Sequence, residues 1–229
     1  MDFTNKNLAV LFEWGDTTVY LTESIFSTWV VMGILILFTI IVRIKMRSFK
    51  GAPTGLQNFI ELAVEMMGNF AKDTIGEELH MLHGYFFGVF AFILTANYSG
   101  MLGFRPPTSD LATTGALALL TFFFSHFLGI IRLKGQYFKS YFEPIVVFFP
   151  INVVGKIAEP VSLAFRLFGN LLSGVILLGL VYELFPLVMR FVIPVPLHGV
   201  FDLFSGGLQA YVFTVLSMTF IRQTATTED

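Results

Sequence analysis

Cysteine is absent from this chain of 229 residues, and charged residues are scarce. The absence of cysteine excludes disulfide scaffolds, thiolate-held iron–sulfur clusters and thiol nucleophiles. Charged side chains make up 13% of the sequence, whereas soluble domains carry about 25%. The net charge is −2 and the basic residues form no patch with aromatic residues, so nucleic acid is not an expected partner.

Apolar residues dominate the composition instead. They make up 55% of the chain, and aromatic residues, among them 28 phenylalanines, make up 16%. A chain of this length cannot bury so much apolar surface in its own core. We therefore expect an integral membrane protein whose remaining apolar surface is covered by the lipid bilayer.

Motifs for metal binding and phosphate chemistry are missing from the sequence. His80 and His83 lie three residues apart after Glu77 and Glu78, but the string is not HExxH, and we expect no metal site there. The chain also has no GxxxxGK[ST] phosphate-binding loop. We expect no catalytic site and no cofactor.

Five stretches with few or no charges are long enough to cross a bilayer as helices, which takes about 20 residues. They comprise residues 24–42, 81–104, 111–131, 160–182 and 196–221. The sequence therefore predicts an all-α integral membrane protein with about five transmembrane helices. A single membrane domain would cover residues 1–229, with the last two spans forming a long antiparallel hairpin.

Two further segments are predicted to lie at the membrane surface. Over residues 54–75 apolar residues recur at helical spacing with polar residues opposite them, which is typical of an interfacial amphipathic helix. This helix is also suited to pack against a partner helix. The segment from Pro144 to Gly155 is free of charge and contains Pro150, so we expect a re-entrant or interfacial piece.

The positions of lysine and arginine predict the orientation, because basic loops stay on the cytoplasmic side. Basic clusters follow the first span, beginning at Arg43, and the third span, beginning at Arg132. We therefore expect residues 1–23 to form an external N-terminal segment and the C-terminus to be cytoplasmic. The expected location is the inner (plasma) membrane of a bacterial cell.

The last two spans carry polar residues at helical spacing. On the fourth span they follow steps of three, four, four and three residues and comprise Glu159, Ser162, Arg166, Asn170 and Ser173. On the fifth they follow steps of four, three and four and comprise His198, Asp202, Ser205 and Gln209. Each row falls on one helical face, so two antiparallel helices would present polar stripes to one another.

An arginine inside a membrane span is unfavourable by about 2.5 to 3.5 kcal/mol on insertion scales, and its default interpretation is functional. Glu159 lies two turns from Arg166, too far for an easy ion pair. A polar row that ends at a lone cation is typical of an access path with a barrier. The alternatives are a structural ion pair and a polar stripe that joins the two helices.

The sequence around Arg166 also carries a family resemblance. Residues 159–174 read EPVSLAFRLFGNLLSG, which resembles the PVSLxxRLFGN signature of subunit a of F-type ATP synthases. Residues 97–110 are similar to that family's second outer turn, and residues 208–213 to its closing helix. The resemblance covers most of the chain from Asn97 onward.

The resemblance implies a function and a set of partners. Subunit a is the fixed ion channel beside a rotating ring of small membrane subunits, each with a buried carboxylate, and it meets a membrane subunit of the peripheral stalk. Arg166 matches the arginine that attracts the ring carboxylate and separates the outer and inner half-channels. Flow of protons or sodium ions would turn this rotary motor and couple to ATP synthesis or hydrolysis on other subunits.

The resemblance also assigns roles to individual residues. Asn170 and Gln209 match the polar companions of the arginine, and Val175 stands where many members have glutamate. Asp202 stands where many have histidine, so we expect Asp202, with His198, to serve the outer path. Further candidates are Ser173 and Ser205 for the ion path, Glu159 and Ser162 for the inner mouth, and Asn97 and Asp110 for outer access.

A second function class is a secondary transporter or ion channel with its own polar site between the last two helices. Such proteins commonly contain inverted repeats, and none is evident in this sequence, whose five spans do not divide into equal halves. A purely structural membrane protein is a third class, but it gives no reason for a buried arginine.

Overall fold

Five long helical segments dominate the structure, a computed structural model that describes residues 7–14, 17–49, 55–143 and 145–226. The described strands are β1 (Asn7–Trp14) and β2 (Thr17–Thr22). The described helices are α1 (Glu23–Lys45), α2 (Leu56–Ile75), α3 (His83–Tyr98), α4 (Leu111–Leu133), α5 (Gly135–Ser140), α6 (Phe149–Leu184), α7 (Leu187–Val192), α8 (Pro194–His198) and α9 (Gly206–Ala225). A π-helical segment, Gly199–Ser205, joins α8 to α9. Short 3₁₀ turns lie in the other connections, at Met46–Ser48, Glu77–Leu82, Ser99–Leu102, Pro107–Ser109 and Val146–Phe148.

Five of the described segments are long and apolar enough to cross a membrane. They are Glu23–Lys45, Glu77–Leu102, Leu111–Leu133, Val146–Leu184 and Pro194–Ala225. Many of their large apolar side chains are exposed, including Leu37, Phe123 and Phe127, as expected for helices whose outer faces contact lipid. The predicted fold class, an all-α membrane protein with about five spans, is confirmed.

The fourth span is longer than the sequence predicts. α6 has 36 residues and continues through Pro160, although an internal proline removes one backbone hydrogen bond. Pro150 stands in the first turn of α6, where a helix does not need the N–H that proline lacks. Residues 149–155 form the first turns of α6, which differs from the predicted re-entrant piece, and an interfacial position for them stays a prediction. Pro144 lies outside the described residues.

A two-stranded sheet precedes the first span, and the sequence analysis does not predict it. β1 and β2 pair antiparallel, with Val10 opposite Tyr20. Residues 17–22, TTVYLT, are rich in β-branched and aromatic residues, which was the available signal for a strand. Thr22 ends β2 and caps α1, because its Oγ1 accepts a hydrogen bond from the N–H of Ile25 at 3.4 Å. The sheet is therefore joined directly to the first membrane helix.

The helices that carry the polar rows are held in place by shared neighbours. α4 packs against both α6 and α9, and α3 packs against α9. One buried cluster joins α2, α3 and α9 and includes Phe86 and Ile221. A second joins α3, α4, α6 and α9 and includes Leu167 and Phe213. α6 and α9 thus share one core at the level of Leu167.

The bundle has two ends, named here by the elements that lie at them. The sheet side carries β1, β2, the start of α1, the Pro107–Ser109 turn and α8. The C-terminal side carries α5 and the last turns of α4 and α9. There Arg222 donates to the carbonyl oxygen of Thr74 at 2.9 Å, and Arg132 donates to Glu78 Oε2 at 3.0 Å. The first bond ties α2, the predicted interfacial helix, to the end of α9, and the second ties the Glu77–Leu82 turn after α2 to the end of α4.

Single cysteines introduced into this naturally cysteine-free chain test whether the sheet side and the C-terminal side lie on opposite sides of the membrane. Glu183 is exposed near the sheet-side end of α6, and Gln136 is exposed on α5. We expect an impermeant thiol reagent to label Glu183→Cys and Gln136→Cys from opposite sides of sealed vesicles, with Gln136→Cys labelled from the cytoplasmic side. Ala118→Cys, at a position that is 1% exposed, is the unlabelled control. Labelling of Glu183→Cys and Gln136→Cys from the same side would contradict the five-span arrangement.

Candidate functional site

Arg166 lies on the exposed face of α6, and its guanidinium has no hydrogen-bond or ion-pair partner among the described residues. Glu159, the nearer of the two carboxylates on this helix, accepts instead from Lys156 Nζ, with 3.1 Å between Nζ and Oε1. The structural ion pair considered from the sequence is therefore not formed. Ser162 and Ser173 are also exposed, so the outward face of α6 presents one cation among small polar side chains.

The two polar rows touch through one hydrogen bond. Ser205 Oγ donates to Asn170 Oδ1 at 2.8 Å. Gln209 lies one turn beyond Ser205 on α9, and Arg166 lies one turn before Asn170 on α6. Because the two helices run antiparallel, Gln209 and Arg166 lie at about the same depth. The predicted rows therefore face one another at this level, although Arg166 is exposed and makes no hydrogen bond to either row among the described residues.

Two amide groups beside this contact have donors without a partner. Asn170 Nδ2 and Gln209 Nε2 are both buried and make no hydrogen bond in the described part of the chain. Buried amide donors are nearly always satisfied in folded proteins. The contact region therefore has hydrogen-bonding capacity left for acceptors that come from outside this chain.

A second polar pair lies nearer the sheet side, at the π-helical segment. His198 Nδ1 and Asp202 Oδ2 are 2.5 Å apart, and Asp202 is 7% exposed. π-helical segments are rare and frequent at functional sites. A Cβ on Gly100 would lie 3.2 Å from Asp202 Oδ2, and one on Gly174 would lie 3.1 Å from the Cβ of Phe201. The segment thus packs so closely on α3 and α6 that the position of the Asp202 carboxylate is narrowly set.

Asn97 and Asp110, the two candidates for outer access, make structural contacts. Asn97 donates to the carbonyl oxygen of Gly206 and accepts from Thr108 Oγ1, each at 2.7 Å. Asp110 caps α4, because its Oδ1 accepts from the N–H of Ala112 at 3.1 Å. Asn97 therefore fastens the turn before α4 to the start of α9. Neither residue lies on the wall of the cavity described next.

A cavity of about 750 Å³ opens at the sheet side. We call it the sheet-side cavity. Asp202, His198 and Val175 of α6 lie on its wall. The remaining charged residues on the wall are Glu23, from the first turn of α1, and Arg105, from the turn between α3 and α4. Residues from five separate parts of the chain, Leu8 of β1 among them, thus line this cavity.

The C-terminal-side cavity, of about 570 Å³, lies at the other end of the molecule. Its wall includes Tyr137, Tyr141 and Lys156, together with the end of α9 at Gln223. The hydroxyl groups of Tyr137 and Tyr141 are 2.6 Å apart. Burial raises the pKa of the Tyr137 phenol, so this hydroxyl stays protonated at neutral pH. Through Lys156, the cavity wall reaches the ion pair with Glu159.

Five long apolar segments, two cavities at opposite ends, a polar helix contact and an arginine without a partner among the described residues define a multi-pass membrane protein. Among the described residues, no group of three His, Cys, Asp or Glu side chains is placed to hold a metal ion. The chain belongs to the ATP synthase A chain family, whose sequence model matches residues 25–222.

Individual relatives agree with this family. The chain is 40% identical over 212 residues to the chloroplastic ATP synthase subunit a of Stigeoclonium helveticum, covering 87% of this chain and 82% of that protein. It is 34% identical over 219 residues to the sodium-ion-specific ATP synthase subunit a of Propionigenium modestum, covering 88% of this chain and 73% of that protein. Ion translocation in an F-type ATP synthase is therefore its function, within the membrane Fo sector and together with other subunits. These relatives do not favour a separate secondary transporter.

Sequence reasoning missed several residues that the structure brings to the site. Lys156 stands three residues before Glu159, so helical spacing could have indicated their ion pair. Glu23 and Arg105 reach the sheet-side cavity from distant parts of the chain, and no local pattern marks them. Thr108 holds Asn97 across a turn whose shape cannot be read from spacing.

Gly206→Ala tests the close contact that holds the start of α9. A Cβ at this position would lie 3.0 Å from Asn97 Cβ and disturb the bond from Asn97 to the carbonyl oxygen of Gly206. We expect a loss of stability of about 1–3 kcal/mol, measured as a lower thermal unfolding midpoint in detergent. Gly88→Ala, on α3 with nothing within 4 Å of the added Cβ, is the matched control and should not lower the midpoint. Equal midpoints for the two variants would contradict the contact.

Proposed function

We propose that ions reach a neighbouring rotating ring through two half-channels, one built on the sheet-side cavity and one on the C-terminal-side cavity. The observation that carries this proposal is the position of Arg166, which is exposed, unpaired and lies between the two cavities along α6. A buried or lipid-facing cation requires an anionic partner. The partner proposed is the ionised carboxylate of a small ring subunit, which is drawn to Arg166 by Coulomb attraction.

The outward face of α6 is suited to close approach by ring helices. Gly169 has no neighbour within 4 Å of where a Cβ would stand, and Ser162 and Ser173 present only small side chains. Small residues let membrane helices approach one another closely. A ring helix on this face would bring its carboxylate within reach of Arg166, and the cation would block ions from passing directly between the half-channels.

The outer half-channel would lead from Asp202 and His198 toward Asn170 and Gln209. The unpartnered amide donors of Asn170 and Gln209 support this route, because they can orient water or a ring carboxylate beside Arg166. The inner half-channel would begin at the C-terminal-side cavity and pass Glu159 and Ser162. Under this proposal the sheet side faces outward, so the N-terminus is external and the C-terminus cytoplasmic.

The chain would supply no catalytic residue, and nucleotide chemistry would take place on other subunits. Exposed apolar residues on α2, among them Phe59 and Met66, support an interfacial position and contact with the membrane helix of the peripheral stalk. Location in a bacterial plasma membrane stays a prediction from the sequence.

Arg166→Ala tests whether the Arg166 charge blocks ions from passing directly between the two half-channels. We expect the variant to insert and assemble, because removing a charge makes the span more apolar. ATP-driven ion pumping and ATP synthesis should be abolished, while vesicles should dissipate an imposed ion gradient faster, since a neutral ring carboxylate could then pass the interface. The measurements are gradient formation, ATP synthesis and passive ion flux in vesicles that contain the whole complex.

Two further variants sharpen this test. Arg166→Lys keeps a charge but loses the planar, weakly hydrated guanidinium, so we expect it to recover little function. Arg47→Ala removes an exposed arginine next to α1 and should remain fully coupled. Coupled ATP synthesis in a well-assembled Arg166→Ala complex would refute the barrier.

Asp202→Asn should slow ion transport more than Glu159→Gln. Asp202 is buried on the cavity wall, and if its neutralisation raises the entry barrier by about 1.4 kcal/mol the rate falls about tenfold. Glu159 makes a partly exposed ion pair with Lys156, and such pairs contribute about 0–1 kcal/mol. Initial rates of ATP-driven pumping compare the two, and a wild-type rate for Asp202→Asn would remove this residue from the path.

A further inference from the structure

The first turn of α1 forms part of the wall of the sheet-side cavity. Glu23, Phe26 and Ser27 line it together with Leu8 of β1. The Thr22 cap and the burial of Ser24 and Ser27 hold this turn in place. The first span and the strand segment before it are thus part of the same cavity as Asp202, although they lie far from it in sequence.

Glu23 is partly buried, and its carboxylate has no hydrogen-bond or ion-pair partner within the described ranges. The other titratable or charged residues on the wall are Arg105, Tyr182, His198 and Asp202. Asp202 is already bound to His198. Glu23 is therefore the carboxylate on this wall that remains available to a cation.

Val175 lies on the same wall. It contributes an apolar side chain where the fourth span could have carried an acid into the cavity. The acidic groups of the cavity come instead from α1 and from the π-helical segment.

We infer that Glu23 is the entry carboxylate of the outer half-channel, which attracts the cation from the outer solution and passes it to the Asp202–His198 pair. The inference rests on the proposed half-channel. A fixed negative charge at the mouth of a cavity with low-dielectric walls concentrates cations there and raises their rate of entry. Glu23 acts on entry only, so it leaves the coupling at Arg166 unchanged.

A purely structural role for Glu23 predicts a different dependence of the transport rate on ion concentration. An acidic residue in the first turn of a helix also stabilises the helix through the dipole. Loss of that role would reduce the amount of assembled complex and would lower the rate equally at every ion concentration. Loss of an entry carboxylate raises the ion concentration needed for half-maximal rate and leaves the maximal rate unchanged.

The experiment uses the complete ATP synthase in vesicles and measures initial ATP synthesis at constant driving force. The concentration on the entry side is varied, with protons as one probe and Na⁺ as the other. We expect Glu23→Gln to raise the half-saturating concentration of the transported ion about threefold to tenfold. Added neutral salt should reduce this difference, because it screens the charge.

Matched variants make the test specific. Glu183→Gln removes an exposed carboxylate at the same end of the molecule that is not on the cavity wall, and its curve should match the wild type. Val175→Glu places a carboxylate on the same wall, so it should restore the half-saturating concentration when combined with Glu23→Gln.

The inference is overturned by an unchanged curve for Glu23→Gln, by an equal shift in Glu183→Gln, or by a fall in maximal rate that follows the amount of assembled complex. Arg166→Ala, measured alongside, distinguishes failure of the Glu23 inference from failure of the proposed half-channels. An unchanged Glu23→Gln curve with an uncoupled Arg166→Ala complex removes Glu23 and keeps the half-channels. Coupled Arg166→Ala removes the half-channels themselves.

Discussion

A positive charge on the outward face of a membrane helix needs a negative partner, and the described part of this chain supplies none for Arg166. The remaining structure is arranged around that constraint. α3 and α4 hold α6 and α9 together from behind, which leaves the face with the guanidinium uncovered. Under the proposed function, a ring subunit of the Fo sector covers this face and supplies the missing negative charge.

The parts of the fold that could be predicted from the sequence are those that the lipid bilayer requires. A bilayer requires about 20 apolar residues for each helix and leaves no backbone group unpaired, so the five spans could be recognised from composition alone. The polar row around Arg166 could be recognised as well, because a charged residue is rare within an apolar span. Helical spacing then indicated that Asn170 and Arg166 share a face, and the Asn170–Ser205 bond agrees with the pairing of the two rows.

The parts that could not be predicted depend on contacts between distant residues. β1 and β2 lie in a short segment whose alternation is weak, and α6 continues through Pro160 because packing outweighs the local preference to break. The family resemblance places Asn97 and Asp110 near the outer path but does not show that Asn97 holds the turn before α4 and that Asp110 caps α4. The wall of the sheet-side cavity assembles from five separate parts of the chain, so its composition follows from the tertiary fold alone.

The two cavities have a consequence for the biogenesis of the complex. Lys156 on one wall and Val175 on the other are 19 residues apart on α6, which is about 28 Å of helix at 1.5 Å per residue. That length approaches the thickness of the hydrocarbon layer, and the two cavities have no lining residue in common. Under the proposed half-channels, a copy outside the complex has no ring to carry ions from one cavity to the other, so we expect unassembled copies to leave the ion gradient of the membrane intact.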